Sequence, residues 1–387
     1  MARILLCAFG EQQQAPGAIM QFSKTVSTLR PLAAALALGG GLAAAPAHAL
    51  VLSTAPVAFS GSASVTDVEG GASTNANGAS LGTASVQQFD ASLGVLTGAN
   101  LSVESTRDAS VRVTSTAGSG GNNGQANSNG TGSSSAALSA PGLAWTFSTI
   151  TLNDACSGNR REACTGPATT SSVTTNQDGG VSGAQLDAYV GAGNVAVSFS
   201  APVLSAQQTS NAFAGTESTV TALTWAGDLA ISYTYLQHAL ASFANGEQSL
   251  ELDFGSFYVG DLAMIGFGLG NAAGDRVGLD LDAVSGSGDT GKLSTDLNPF
   301  MALLAGTGMS FNAWLDTSEA GVFSATYLLD LSDADVGASS SRYGYTMSLK
   351  LTGTVLERTV VSAVPEPGSL ALLGLGVLGL AALRRRA

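Results

Sequence analysis

The sequence predicts an all-β protein with an antiparallel β-sandwich or jelly-roll-like body, and three observations predict it. Glycine fills 49 of 387 positions and charged residues only 11%, a composition suited to tight turns and small packed faces rather than long helices. Apolar and polar residues alternate at period two through much of the chain, which puts one face of each extended segment in a core. Between the two ends no helical period interrupts that alternation, the pattern of antiparallel sheets with polar outer faces.

The alternation is clear at Val111 and Val113, at Val195, Val197 and Phe199, and from Leu229 through Ile231 and Tyr233 to Tyr235. It recurs at Leu250, Leu252 and Phe254 and at Val277, Leu279 and Leu281. Late in the chain Phe323, Ala325, Tyr327, Leu329 and Leu331 share one face, and Tyr343, Tyr345, Met347, Leu349 and Leu351 share another. The turn-rich connector Ser332 to Arg342 suits an antiparallel pair. One short helix is expected, with Asn298 as its cap, Pro299 in its first position, and Phe300, Leu303 and Leu304 facing the core. Residues 118–135 contain no apolar residue larger than Ala. They predict a flexible Gly/Ser/Asn loop, because such a segment buries too little surface to offset its ordering entropy. The exported body, 50–362, is read as one domain with this long loop, the alternative being two domains divided there.

Near the N-terminus Lys24 and Arg30 precede the apolar run Leu32 to Ala45, which ends in Pro46-Ala47-His48-Ala49. Charged, apolar and small residues in this order form a secretory signal peptide, and Ala47 and Ala49 supply its A-x-A site. Residues 1–49 are therefore expected to form a signal helix that engages the Sec translocon and is cleaved after Ala49. A signal begins close to its initiator, so Met20 is the expected start and Met1 to Ile19 a mis-assigned extension.

The chain ends in Val364-Pro365-Glu366-Pro367-Gly368, the uncharged stretch Ser369 to Leu383, and Arg384-Arg385-Arg386. A helix over 368–383 would rise about 24 Å, slightly short of a hydrocarbon core of about 30 Å. The three arginines are expected to stay cytoplasmic, leaving the body outside. Pro365 and Pro367 keep the preceding segment extended. Residues 363–387 resemble the PEP-CTERM sorting signal in motif, spacing, apolar segment and basic end. The resemblance implies that Pro365, Glu366, Pro367 and Gly368 are recognised by a membrane exosortase. It also implies a single transmembrane helix that holds the chain in the inner membrane until processing, with Arg384, Arg385 and Arg386 as its cytoplasmic stop. The address implied is the cell surface or extracellular matrix of a bacterium that makes exopolysaccharide. Gly274 to Val355, with Leu279-Asp280-Leu281-Asp282 and Leu349-Lys350-Leu351-Thr352-Gly353, looks like a terminal module of other PEP-CTERM proteins and implies only further β structure.

Within 50–362 there are 9 basic and 26 acidic residues, a net charge of −17. That surface repels phosphate backbones, so nucleic acid is not an expected partner. The only histidine beyond the signal is His238, so multi-histidine metal sites are absent, and His238 is read as structural. Gly78-Ala79-Ser80-Leu81-Gly82 matches the hydrolase G-x-S-x-G pattern, but it precedes a strand in a glycine-rich chain and is read as chance. Asp280, Asp282 and Asp289 are weak calcium candidates, since calcium takes oxygen ligands from Asp-rich loops. Asp280, Asp282 and Asp316 are the carboxylates on which a glycosidase reading would rest. A further acidic group is Asp330, Asp333 and Asp335. Cys156 and Cys164, with seven residues between them, are expected to form a disulfide that constrains its loop by roughly 2 to 3 kcal/mol. Trp145, Trp225 and Trp314 would serve a glycan-binding face if exposed, although each alternates with core positions. The expected function is a non-enzymatic structural or adhesive component of the exopolysaccharide or biofilm matrix. A glycan- or calcium-binding module and a secreted glycoside hydrolase are the alternatives.

Overall fold

The structure, a computed structural model, describes residues 48–69, 71–210, 212–244, 246–359 and 369–385. Ala47 and the rest of the signal before it, the Pro365-Glu366-Pro367-Gly368 motif and Arg386 lie outside the described residues. The first part of the body runs through β1 (Leu50–Ser53), β2 (Val57–Val68), β3 (Thr74–Asn75), β4 (Ala79–Gln87), β5 (Val95–Ser115), β6 (Gln125–Ser134) and β7 (Ala137–Ala140). It continues through β8 (Leu143–Thr146), β9 (Ile150–Asn159), β10 (Cys164–Thr165), β11 (Thr169–Val181), β12 (Asn194–Ala201), β13 (Leu204–Gln208) and β14 (Glu217–Leu236). The second part holds β15 (Ala241–Phe243), β16 (Ser249–Tyr258), β17 (Ala263–Asn271), β18 (Leu279–Gly288) and β19 (Leu293–Thr295). The last elements are β20 (Phe300–Leu303), β21 (Gly308–Leu315), β22 (Gly321–Asp333), β23 (Gly344–Leu356) and the helix α1 (Ser369–Leu383). The protein is mostly β, with several antiparallel sheets.

β5 and β14 pair antiparallel from Ser115 opposite Glu217 to Val95 opposite Leu236, with one register shift at Thr234/Tyr235. β1 and β2 extend this sheet along β14, and β10 and β11 extend it along β5. Its inner face follows the alternation read from sequence: Leu101, Val103, Val111, Val113, Leu229, Ile231 and Tyr233 are all buried. A second layer covers that face. It consists of two four-stranded sheets with matching strand order, β4-β12-β7-β8 and β3-β13-β6-β9. Four passes of the chain therefore each break at one level, and hydrogen bonds from Ala76 N to Leu204 O (2.8 Å) and Ser135 N to Val203 O (2.8 Å) carry pairing across this crease. Trp225 on β14 meets Phe199 on β12 edge to face at 5.1 Å, and Phe59 stacks on Phe199 at 4.1 Å, locking the layers together.

The segment 118–135 is the principal correction to the sequence reading. Only its first part is a loop. Residues 125–134 form β6, paired with β9 along ten positions and with β13. Small side chains here serve close approach of two layers. A Cβ on Gly130 would overlap the Thr219 side chain, and one on Gly132 would overlap Thr221 and Val111. Entropy was the wrong criterion because backbone pairing on both edges, not side-chain burial, orders the strand.

In the second part β15-β17-β21-β19 faces β16-β23-β22-β18-β20 across a separate core that includes Phe243, Leu269, Leu279, Leu315, Leu329 and Leu349. β22 and β23 form the expected antiparallel pair. β16 pairs parallel to β23, a departure from the all-antiparallel expectation that requires the long crossover from β17 to β22. The helix expected at Asn298 to Leu304 is also corrected: Phe300–Leu303 is β20, pairing with β18, and Asp280 accepts the Ala302 N–H at 2.5 Å. Apolar residues at 300 and 303 fit a helical period and not a strand's, and pairing with β18 overrides that local signal.

α1 has 15 described residues, which rise about 22 Å, within the expected span 368–383. Among the described residues no helix is long and apolar enough to cross a membrane.

Replacing Gly132 with Val should force the two layers apart. We expect a loss of about 1 to 3 kcal/mol in urea unfolding. Unchanged stability would mean that the layers do not meet there.

Candidate functional site

Two places concentrate polar chemistry. The first is the junction of the two cores. Val95 belongs to the second core and Leu96 to the first, so β5 itself crosses between them. At this level the connector after β22 straps onto the first part: Ala338 N donates to Leu96 O at 2.8 Å, and Leu96 N donates to Ser341 Oγ at 3.0 Å. Asp187 accepts from Ser340 N (2.9 Å) and from the Ser339 and Ser340 hydroxyls.

His238, just past β14, sits at the centre of this junction. Its Nδ1 lies 2.7 Å from Asp333 Oδ2 and its Nε2 lies 2.8 Å from the Ala91 carbonyl oxygen. The Ala91 carbonyl oxygen can only accept, so Nε2 donates to it, and the Asp333 carboxylate favours a second donor at Nδ1. The Asp333 hydrogen bond raises the His238 pKa above its ordinary value, the Ala91 carbonyl adds to it, and burial and Arg276 oppose it. The Asp333 side chain is 1% exposed and also accepts from Ala239 N and Tyr343 N, each at 2.7 Å. Arg276 donates to the His238 carbonyl (2.9 Å), and the Tyr343 ring lies 5.7 Å from the imidazole. With neither nitrogen free, the geometry gives His238 a tethering role and no place as a general base.

The second place is a cleft of about 390 Å³ lined by Asp261, Leu262, Met264, Trp314, Asp316 and Thr317. Met264 on β17 pairs directly with Trp314 on β21, and both face outward, 61% and 37% exposed. Arg358 holds one Asp261 oxygen, and Tyr258 N donates to the other at 2.9 Å. Lys292 reaches Asp316 at 3.3 Å, and Ser318 N donates to Asp316 at 2.9 Å. Both carboxyls are held below the usual range, Asp261 first by the Tyr258 N–H and then by Arg358, Asp316 first by Ser318 and then by Lys292. Neither environment favours the protonated form that a glycosidic general acid needs. An exposed indole flanked by anchored carboxylates can instead stack on a flat polar ligand and hydrogen-bond its edge.

The remaining sequence candidates are dispersed. Asp280 accepts from Ala302 N within β20, Asp289 accepts from Ser324 N at 2.9 Å, and Asp282 is exposed on β18. The structure does not bring these three together: among the described residues no three His, Cys, Asp or Glu side chains converge on a metal position. Asp335 pairs with Arg342. Ser80 lies on β4, where its hydroxyl accepts from Gly82 N at 3.2 Å, with no strand-to-helix elbow. Trp225 is fully buried, Trp145 packs against the first core, and Trp314 alone of the three is exposed. Cys156 and Cys164 form the expected disulfide between β9 and β10. Ala49 directly precedes β1, and Arg384 and Arg385 follow α1 as exposed residues. The Asp333 partner of His238 escaped sequence reading because 95 positions separate them and no local pattern links them.

Residues 363–386 match the PEP-CTERM protein-sorting motif. The motif marks an exported chain that is sorted and processed by an exosortase, and it points to the cell surface. No curated protein matches the chain. Among solved structures, the VesB protease of Vibrio cholerae aligns with 12% identity over 33% of this chain and 37% of its own, at a TM-score of 0.20. A nucleoside hydrolase-related hypothetical protein from Saccharophagus degradans, associated with carbohydrate metabolism, aligns with 18% identity over 32% of this chain and 26% of its own, at 0.19. The chain thus spans about a third of these proteins, and likenesses at such TM-scores carry no argument about fold or activity.

Because the folded-state pKa of His238 is raised, its contribution to stability is complete below the unfolded value near 6.5 and fades as pH rises through the folded value. Urea unfolding from pH 5 to 9 should show this decline. His238→Gln should flatten it and cost about 1 to 3 kcal/mol at pH 6 by leaving Asp333 short of a donor. A variant with the same pH profile as the parent would contradict the tether.

Proposed function

We propose that this exosortase-sorted protein is a non-enzymatic structural or adhesive component of the exopolysaccharide or biofilm matrix. The signal at 1–49 takes it through the Sec translocon, and the apolar C-terminal segment holds it in the inner membrane until processing. The described helix is shorter than a bilayer, a mismatch that local thinning or flanking residues accommodate. After processing, the body stays at the surface or in the matrix.

The sorting motif at 363–386 is the observation that carries this reading. The body supports it with outward rows of small hydroxyl side chains on the longest sheet. Thr106 pairs with Thr174 at 3.2 Å, Thr114 with Ser218 at 2.8 Å, and Ser53 with Ser232 at 2.9 Å across neighbouring strands. Such rows, interspersed with the exposed Glu104, Asp108, Asp178 and Asp228, offer many donors and acceptors, which suits contact with a hydrated polymer. A deletion strain should lose matrix mass or adhesion and recover both with the full gene. Unchanged matrix, adhesion and surface composition would count against the role.

A second reading, glycan binding, is favoured by one specific feature, the exposed Trp314 beside Met264 over the cleft. Trp314→Ala should weaken retention on the organism's own exopolysaccharide about tenfold while leaving the fold intact, the scale of one aromatic contact. Equal retention by both proteins would remove this reading.

A further inference from the structure

The crease between the two halves of the covering layer holds an unusual set of side chains. Arg107 on β5 is 2% exposed and lies directly opposite Trp225 on β14 and Val173 on β11. Its Nη1 donates to the Ser148 carbonyl at 2.9 Å, and its guanidinium carbon sits 5.1 Å from the centre of the Phe147 ring. No carboxylate among the described residues pairs with it. Burial lowers its pKa, yet a guanidinium remains charged at any pH the protein meets.

The groups around it are short of acceptors as well. Arg107 Nε, Trp225 Nε1 and Ser105 Oγ are buried and have no hydrogen-bond partner. Ser105 lies two residues from Arg107 on the same inward face, opposite Gly227. Ser134 and Thr221 hydroxyls, on the two layers beside the crease, are orphaned too. A buried, uncompensated cation surrounded by idle donors is costly unless something accepts from them. Away from the crease the one other such atom among the described residues is Arg276 Nε, and a large buried polar group is matched: Gln208 joins Ser128, Glu217 and Thr219. Ser148 and Thr149, which lie over the guanidinium in the β8–β9 connection, are exposed and give a short route in from solvent.

We propose that this crease binds one small monovalent anion, of halide or formate size, with Arg107 Nε, Trp225 Nε1 and Ser105 Oγ as its donors. One uncompensated positive charge sets the single negative charge of the ligand, and the packed aromatic wall of Phe147 and Trp225, 5.2 Å apart, limits its size. The anion completes the hydrogen bonding of the crease and so stabilises the contact between the layers.

Thermal unfolding of the full chain tests this at constant ionic strength, with chloride or formate replacing a bulky sulfonate. Binding to the folded state alone raises Tm with ligand concentration. The parent protein should gain several degrees between 1 and 100 mM, and the chloride and formate arms show which size fits. Arg107→Met should lose the response. Should that variant fail to fold, Ser105→Ala and Trp225→Phe, each removing one donor, should shift the half-maximal concentration upward at least fivefold. Bromide-soaked crystals should show a peak beside Arg107 Nε. A Tm indifferent to both anions, or equal responses in parent and Ser105→Ala, would overturn the site and leave solvent water as the partner of these groups.

Discussion

The β5–β14 ladder is the constraint on which the rest of the structure depends. Twenty paired positions make a ribbon roughly 65 Å long at the usual strand rise, with an unbroken row of inward side chains. A sheet face of that length must be covered along its whole extent, and short strands cannot do so in a single run. The covering layer answers by passing four times and breaking at one level, which is why two sheets share the same strand order. The glycines at 130 and 132 follow from the same demand, since Thr219 and Thr221 leave no room for a Cβ opposite them. Even the buried Arg107 belongs to it: the crease exposes the Ser148 carbonyl inward, and a long side chain from the ladder reaches it.

The ladder also transmits order to the second core. Its last residues run directly into His238, and Val95 at the other strand's start packs in that second core. Asp333 gathers the imidazole and two backbone N–H groups at one buried carboxylate. A buried charge in this position is tolerable because every contact it makes is charge-assisted or to backbone, and because its counter-charge is fixed from both sides. The two cores are thereby tied by hydrogen bonds whose partners lie far apart in sequence.

Period-two alternation makes most of the strands legible in the sequence. It succeeds at 195–199, 229–235, 323–331 and 345–351 because one side of each strand faces a core and the other faces water. It fails where the side chains do not record that asymmetry. β6 alternates buried and exposed positions but fills both with small residues, and β20 is four residues long with no alternating burial. The disulfide is legible from cysteine number and spacing in an exported chain, and the sorting tail from its order of motif, apolar run and arginines. The His238–Asp333 tether, the orphaned donors around Arg107 and the exposure of Trp314 are not legible. Each depends on which strands become neighbours, and register is a tertiary outcome.

The tail and the body answer different questions. Residues 363–386 give an address that requires no chemistry of the body, whereas the body offers a long hydroxyl-bearing face and an aromatic cleft. In the proposed role the tail is a temporary anchor and the folded part before it is what remains at the surface. C-terminal peptide mapping of the protein recovered from the cell surface and culture fluid tests that most directly. The account predicts a C-terminus at or near the Pro365-Glu366-Pro367 motif, with the apolar segment and its arginines gone. Surface-released protein that still ends in the apolar segment and Arg384-Arg385-Arg386 would contradict it.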